Sequence, residues 1–155
     1  MKTTPAQTHS MITHLFLITA LLSAASTGAA EQNITEVIES ARTSGANFVA
    51  LGNQPDWHLA VYNRDYKVTF VTDAGAASYH FPATSPVLLR DLKPKATIYN
   101  IVSDTNAMRV VVLEKFCQDT KTGKAFGTTV EVDLDGREYY GCGEAIYPPA
   151  ADESM

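Results

Sequence analysis

The chain has 155 residues, with 17 acidic and 12 basic side chains, a formal charge of −5 and 45% hydrophobic content. That length holds one domain behind a leader, and the acidic balance argues against nucleic acid or anionic lipid as the main partner. Two cysteines and four histidines leave little material for a metal cluster or a thiol active site.

Residues 1–30 read as an export signal. A polar start carrying Lys2 leads into the apolar run Leu15 to Leu22, and Gly28-Ala29-Ala30 precede Glu31. The apolar run is well short of the roughly 20 residues that cross a bilayer, so no stable membrane anchor is expected after cleavage. The mature chain, residues 31–155, holds 17 acids and 11 bases, a formal charge of −6. Residues 31–47 are expected to form a helix and linker. Asn33 is an N-cap with Glu36 three residues on, Ile34, Val37, Ile38 and Ala41 follow at helical spacing, and Gly45 ends the run.

From residue 48 the texture changes to short β-rich runs. Strands are expected near 48–52, 56–62, 66–72, 77–82, 97–103, 108–116, 126–134 and 137–142. Asn63-Arg64-Asp65, Asp73-Ala74-Gly75, Asp104-Thr105-Asn106 and Asp135-Gly136 supply turns, and Asp-Gly is the strongest hairpin signal among them. Trp57, Leu59 and Val61 alternate against His58, Ala60 and Tyr62. Val130, Val132 and Leu134 alternate against Thr129, Glu131 and Asp133. Alternation of this kind gives an antiparallel sheet with one buried face. The fold class is therefore all-β with one N-terminal helix: a small antiparallel β-barrel of about eight strands over 48–147, or a two-sheet sandwich. The proline-broken link 82–94 is expected to cross an end of the sheet, and 148–155 to form a frayed tail.

Cys117 and Cys142 follow an export signal, which predicts an oxidising compartment and one structural disulfide. Each is expected to end a strand of a meander, Cys117 on 108–116 and Cys142 on 137–142. Closing a loop of 25 residues contributes roughly 3–4 kcal/mol by chain entropy. No Cys-x-x-Cys motif supports a redox pair.

Candidate chemistry is thin. His58 and His80 are the only mature histidines, Ser78 lies two residues before His80, and no Gly-x-Ser-x-Gly elbow is present. Glu131, Asp133 and Asp135 form an acidic stripe that reads as a solvated face. Asp73 and Asp119 are the carboxylates available for glycoside chemistry, with nothing to show that they meet. Gly52-Asn53-Gln54-Pro55-Asp56-Trp57 is a tight turn into the strand bearing the single tryptophan. Trp57 shares a face with Leu59 and Val61 and reads as a core anchor, while Asn53 and Gln54 are placed to line a cavity mouth. The binding candidates are Asn53, Gln54, Trp57, His58, His80 and Asp119. No catalytic residue, metal or cofactor is assigned.

Three stretches, FVALGNQPDW, VTFVTDAG and CQDTKTGKAFGTTVEVDLDGREYYGCG, together resemble a bacterial envelope domain, often a lipoprotein, of uncharacterised activity. Its members carry Gly-Asn-Glu-Pro-x-Trp, a Cys-x-Asp loop and a closing Leu-Asp-Gly with Gly-Cys-Gly. They often sit beside META-type or lysozyme-inhibitor-type domains. The likeness covers roughly 48–145 and implies an exported all-β domain with a Cys117–Cys142 bond. Gln54 stands where that family usually has Glu, Lys121-Thr122 replace Met-Ser, and the lipid-attachment cysteine is absent. The expectation is a periplasmic or secreted, non-enzymatic binding module for a small ligand or an envelope protein, with a lysozyme-inhibitor-like role as its narrower form. The alternative is a hydrolase of envelope material using His58 or His80 with an Asp.

Overall fold

The computed structural model describes residues 33–146; the leader at 1–30 and the tail at 148–155 lie outside them. Among the described residues one α-helix, α1 (Ile34–Thr43), precedes eleven strands, and a single 3-10 turn spans Asp73–Gly75. The Asn33 side chain caps α1 by accepting the Thr35 N–H at 3.1 Å, and Ile34, Ile38 and Ala41 form its buried stripe. Among the described residues no helix is long and apolar enough to cross a membrane.

The first four strands form a meander: β1 (Phe48–Asn53), β2 (Asp56–Tyr62), β3 (Lys67–Thr72) and β4 (Ala77–Pro82). The second half comprises β5 (Val87–Leu89), β6 (Ala96–Val102), β7 (Ala107–Leu113), β8 (Cys117–Gln118), β9 (Ala125–Phe126), β10 (Thr128–Leu134) and β11 (Arg137–Ala145). Nine of them make one antiparallel sheet in the order β4-β3-β2-β1-β11-β10-β7-β6-β5, and β8 and β9 form a separate ribbon. The sheet curls into a half-barrel. Among the described residues no ladder joins the edge strands β4 and β5, so the curl is not closed by hydrogen bonds.

The sequence-level expectation of an antiparallel β fold with one N-terminal helix holds, and three local differences have physical reasons. The link 82–94 contains β5, a three-residue edge strand paired with Ala96 to Ile98. The run 108–116 stops at Leu113, where the Lys115 N–H turns back onto the Leu113 carbonyl at 2.7 Å. The run 126–134 breaks at Gly127, which hands Ala125 and Phe126 to the ribbon. The Asp135-Gly136 turn forms as expected, with φ of 53° and 85° at its two residues.

Each face of the sheet carries a core. The inner core fills the curl with Trp57, Leu59, Val61, Val68, Phe70, Phe81, Ile101, Met108, Val110, Val130, Val132, Leu134 and Tyr139. Register aligns them: Leu59 lies opposite Phe70, Val61 opposite Val68, and Val132 between Tyr139 and Val110. The Phe70 ring meets Tyr139 edge-on at 5.1 Å and Trp57 at 5.7 Å between centroids, so aromatic rings fill this part of the curl. The outer core is smaller. There α1 and the ribbon cover Val49, Leu51, Ala60, Tyr62 and Cys142, helped by Phe126 and Ile146.

Candidate functional site

Trp57 organises one end of the half-barrel. Its side chain is 0% exposed, and its indole N–H donates to the Tyr140 carbonyl at 3.3 Å. The ring lies against two glycines. A Cβ on Gly52 would collide with the indole nitrogen and the Tyr140 carbonyl, and one on Gly141 would collide with the Leu51 carbonyl and the ring. Gly52 and Gly141 are therefore the floor on which Trp57 sits. Trp57 belongs to the inner core and does not reach a surface groove.

Directly beyond that floor, β1 ends at Asn53 and the chain turns through the cis Gln54–Pro55 peptide into β2. The Asn53 amide donates to Asp119 Oδ1 at 3.1 Å and to Thr120 Oγ1 at 3.2 Å, and Thr120 Oγ1 lies 3.3 Å from Asn53 Oδ1. Asp119 is 5% exposed and organises its own loop. Its Oδ2 accepts the Lys121 N–H at 3.1 Å, the Thr122 N–H at 2.7 Å and the Thr122 hydroxyl at 2.7 Å. A buried carboxylate satisfied by four donors is a structural pivot whose lone pairs are largely engaged. Lys121 also reaches Asp56 at 3.9 Å, which joins the loop to the start of β2.

The Cys117–Cys142 disulfide forms, with 5.5 Å between the Cα atoms. Its placement differs from the sequence-level expectation. Cys117 begins the ribbon instead of ending the strand at 108–116, because the chain has already left the sheet after Leu113. The bond therefore fastens the ribbon β8–β9 to the outer face of β11.

That bond and the Asn53 pairing bring three sequence-distant segments to one groove of about 340 Å³. Asn53 and Gln54 come from the first turn, Gln118 and Thr120 from the ribbon, and Tyr140 from β11, with the disulfide among them. Asp119 is the one charged residue on its wall. Tyr140 is 56% exposed, and its hydroxyl donates to Glu138 Oε2 at 2.9 Å, which raises the phenol pKa above its ordinary value. A second, smaller hollow of about 110 Å³ lies on the other side of Tyr140, walled by Arg109, Glu131, Asp133 and Glu138. A crevice beneath α1 beside Val37 and Lys121, about 10 Å³, has room for one water.

Of the sequence candidates, Asn53, Gln54 and Asp119 converge on the groove. His58 and His80 do not line it. Both point from the outer face of the sheet, opposite Val71 and Thr69 of the intervening β3. One strand and a two-residue offset put their Cα atoms about 12 Å apart, beyond any shared hydrogen bond. Burial pushes the His58 pKa below its usual value. Asp73 is held by Arg137 at 3.3 Å and Asp119 by its own loop, so the two carboxylates serve separate places. Among the described residues no three His, Cys, Asp or Glu are grouped to hold a metal. Sequence reasoning passed over Gln118, Thr120, Thr129 and Tyr140. Their signal was proximity to the cysteines: Gln118 and Thr120 follow Cys117 closely, and Tyr140 precedes Cys142 by two residues.

Comparison with protein-family models, with curated proteins and with solved structures returned no match.

Proposed function

We propose that this protein is an exported, soluble, non-enzymatic binding module of the periplasm or the cell exterior, and that the groove beside the disulfide is its binding site. The observation that carries the reading is convergence. Gly52-Asn53-Gln54, Cys117 to Thr120 and Tyr140-Gly141-Cys142 are distant in sequence, yet they share one wall-lined depression. The aromatic filling of the curl favours this outer groove over an interior pocket. Rigidity supports it as well. A disulfide and a saturated Asp119 hold the loop in place, so little ordering entropy is spent on binding. The ligand is a small polar molecule or a segment of an envelope protein. A narrower version is inhibition of a lysozyme, in which the mature charge of −6 would speed encounter with a basic enzyme.

The test is an amide chemical-shift titration of the disulfide-bonded protein with neutral tetrasaccharides, muropeptides, envelope-derived peptides and purified lysozymes. Saturable shifts at Asn53, Thr120 and Tyr140 support the reading. Silence from every probe overturns it. Turnover of a muropeptide that is lost on replacing His58 or His80 would instead establish the hydrolase alternative.

A further inference from the structure

We infer that the groove takes a neutral oligosaccharide, with the Tyr140 ring as its stacking platform. This names a ligand class for the site just proposed and rests on that proposal.

The wall of the groove is polar and almost uncharged. In a chain with 19% charged residues, Asp119 is the one charged residue lining the groove, and its carboxylate is engaged by Asn53, Lys121 and Thr122. What remains is Asn53, Gln54, Gln118, Thr120 and Thr129: amides and hydroxyls, which both donate and accept. Sugar hydroxyls also do both. A phosphate or carboxylate ligand would leave water there without gaining a counter-charge, which is costly. The wall therefore selects for polar but uncharged ligands.

Tyr140 supplies an apolar surface. Its hydroxyl is already committed to Glu138, so the ring presents chiefly its face and edge to a ligand. The side chain stands on β11 immediately before Gly141, on the outer face, and is 56% exposed. A flat, rigid, apolar surface bordered by amides matches a pyranose, which has an apolar C–H face and a polar rim.

Tyr140 lines the hollows on both of its sides. A ligand stacked on the ring extends into each, so the occupant is longer than one sugar unit. The smaller hollow offers Glu131, Asp133 and Glu138 against Arg109. Carboxylates accept strongly from hydroxyls and repel acidic glycans, which again favours a neutral chain.

The decisive experiment titrates the labelled, disulfide-bonded protein with chitotetraose, cellotetraose and a hyaluronan tetrasaccharide, and repeats it with Tyr140→Ala and Tyr140→Phe. The expected result is saturable shifts at Asn53, Thr120 and Tyr140 with at least one neutral tetrasaccharide, and weaker shifts with the acidic one. Tyr140→Ala should weaken binding about tenfold, and Tyr140→Phe should stay within about twofold, because the ring and not the hydroxyl makes the contact. Unchanged denaturation midpoints for both variants keep the comparison free of folding effects. If peptides or lysozymes shift these amides and no neutral sugar does, the binding module stands and the sugar class is overturned. If neutral sugars shift only residues elsewhere, the placement on Tyr140 is overturned. If no probe shifts anything, both readings fall together.

Discussion

The two faces of the sheet are stabilised in different ways. The inner face is closed by side chains of the sheet itself: every second residue of β2, β3, β7 and β10 turns inward, and the curl brings them together around Trp57, Phe70 and Tyr139. The outer face is covered only in part, by elements brought from elsewhere. Helix α1 lies over β1 and β2, and the ribbon is tied down by a covalent bond. Local alternation is enough to build a core where a sheet curls on itself. On the other face, the chain needs long-range fasteners, and the groove forms where such a fastener ends.

The difference can be broken from the inner side first. Trp57→Ala should cost about 3–5 kcal/mol and abolish cooperative unfolding in urea, since it empties the centre of the aromatic cluster. Gly141→Ala tests the same seat from below. Its Cβ falls on the Leu51 backbone, so the β1–β11 pairing must shift, and a loss of comparable size is expected. A change below about 1 kcal/mol in either variant would mean that the inner core does not depend on this anchor.

The outer side should respond more selectively. Replacing Cys117 and Cys142 together by serine removes roughly 3–4 kcal/mol by loop-closure arithmetic. Hydrogen exchange should then rise most in the ribbon and around Asp119, by more than the fall in global stability alone imposes on the amides of β3 and β7. Uniform loss of protection across both faces would show that the two cores form one cooperative unit.

The smallest expected effect sharpens the boundary between the faces. His58 lies on the outer face of β2, where burial lowers its pKa. The unfolded chain takes up a proton near the ordinary histidine value, about 6.5, before the folded chain does. Stability tied to neutral His58 is therefore present above that pH and lost as the pH falls below it. The urea midpoint should drop as the pH falls below about 6.5, and His58→Gln should flatten that slope. Identical slopes in the two proteins would remove His58 from the pH response.

Much of the inner core was legible in the sequence because its grammar is local. The alternation of Trp57, Leu59 and Val61, and of Val130, Val132 and Leu134, gave the buried face directly, and Asp135-Gly136 marked its hairpin. The capped pattern from Asn33 to Ala41 did the same for α1. The edge strand β5 was not legible, since it has three residues among prolines and pairs on one side only. Nor was the departure of the chain from the sheet at Leu113, which moved Cys117 off its expected strand. The candidate site was half legible. Asn53, Gln54 and Asp119 stood out as turn and loop residues, but Tyr140 reads as an ordinary strand residue until the disulfide and the Trp57 seat bring its neighbours around it. The histidines attracted attention for their rarity, and geometry places them elsewhere.

The placement of β1 has a consequence in time. It lies in the middle of the sheet, between β2 and β11, with Phe48 opposite both Val61 and Ala145. The first strand made therefore waits for the last. A chain emerging from the ribosome can assemble β1 to β4 as a meander, but the flank of β1 that β11 will occupy stays bare until nearly the whole sequence has been synthesised. Such non-local pairing slows folding, because a long loop must close before the contact is gained. A chain that commits late in this way leaves the middle of its sheet unpaired on one side for most of its synthesis.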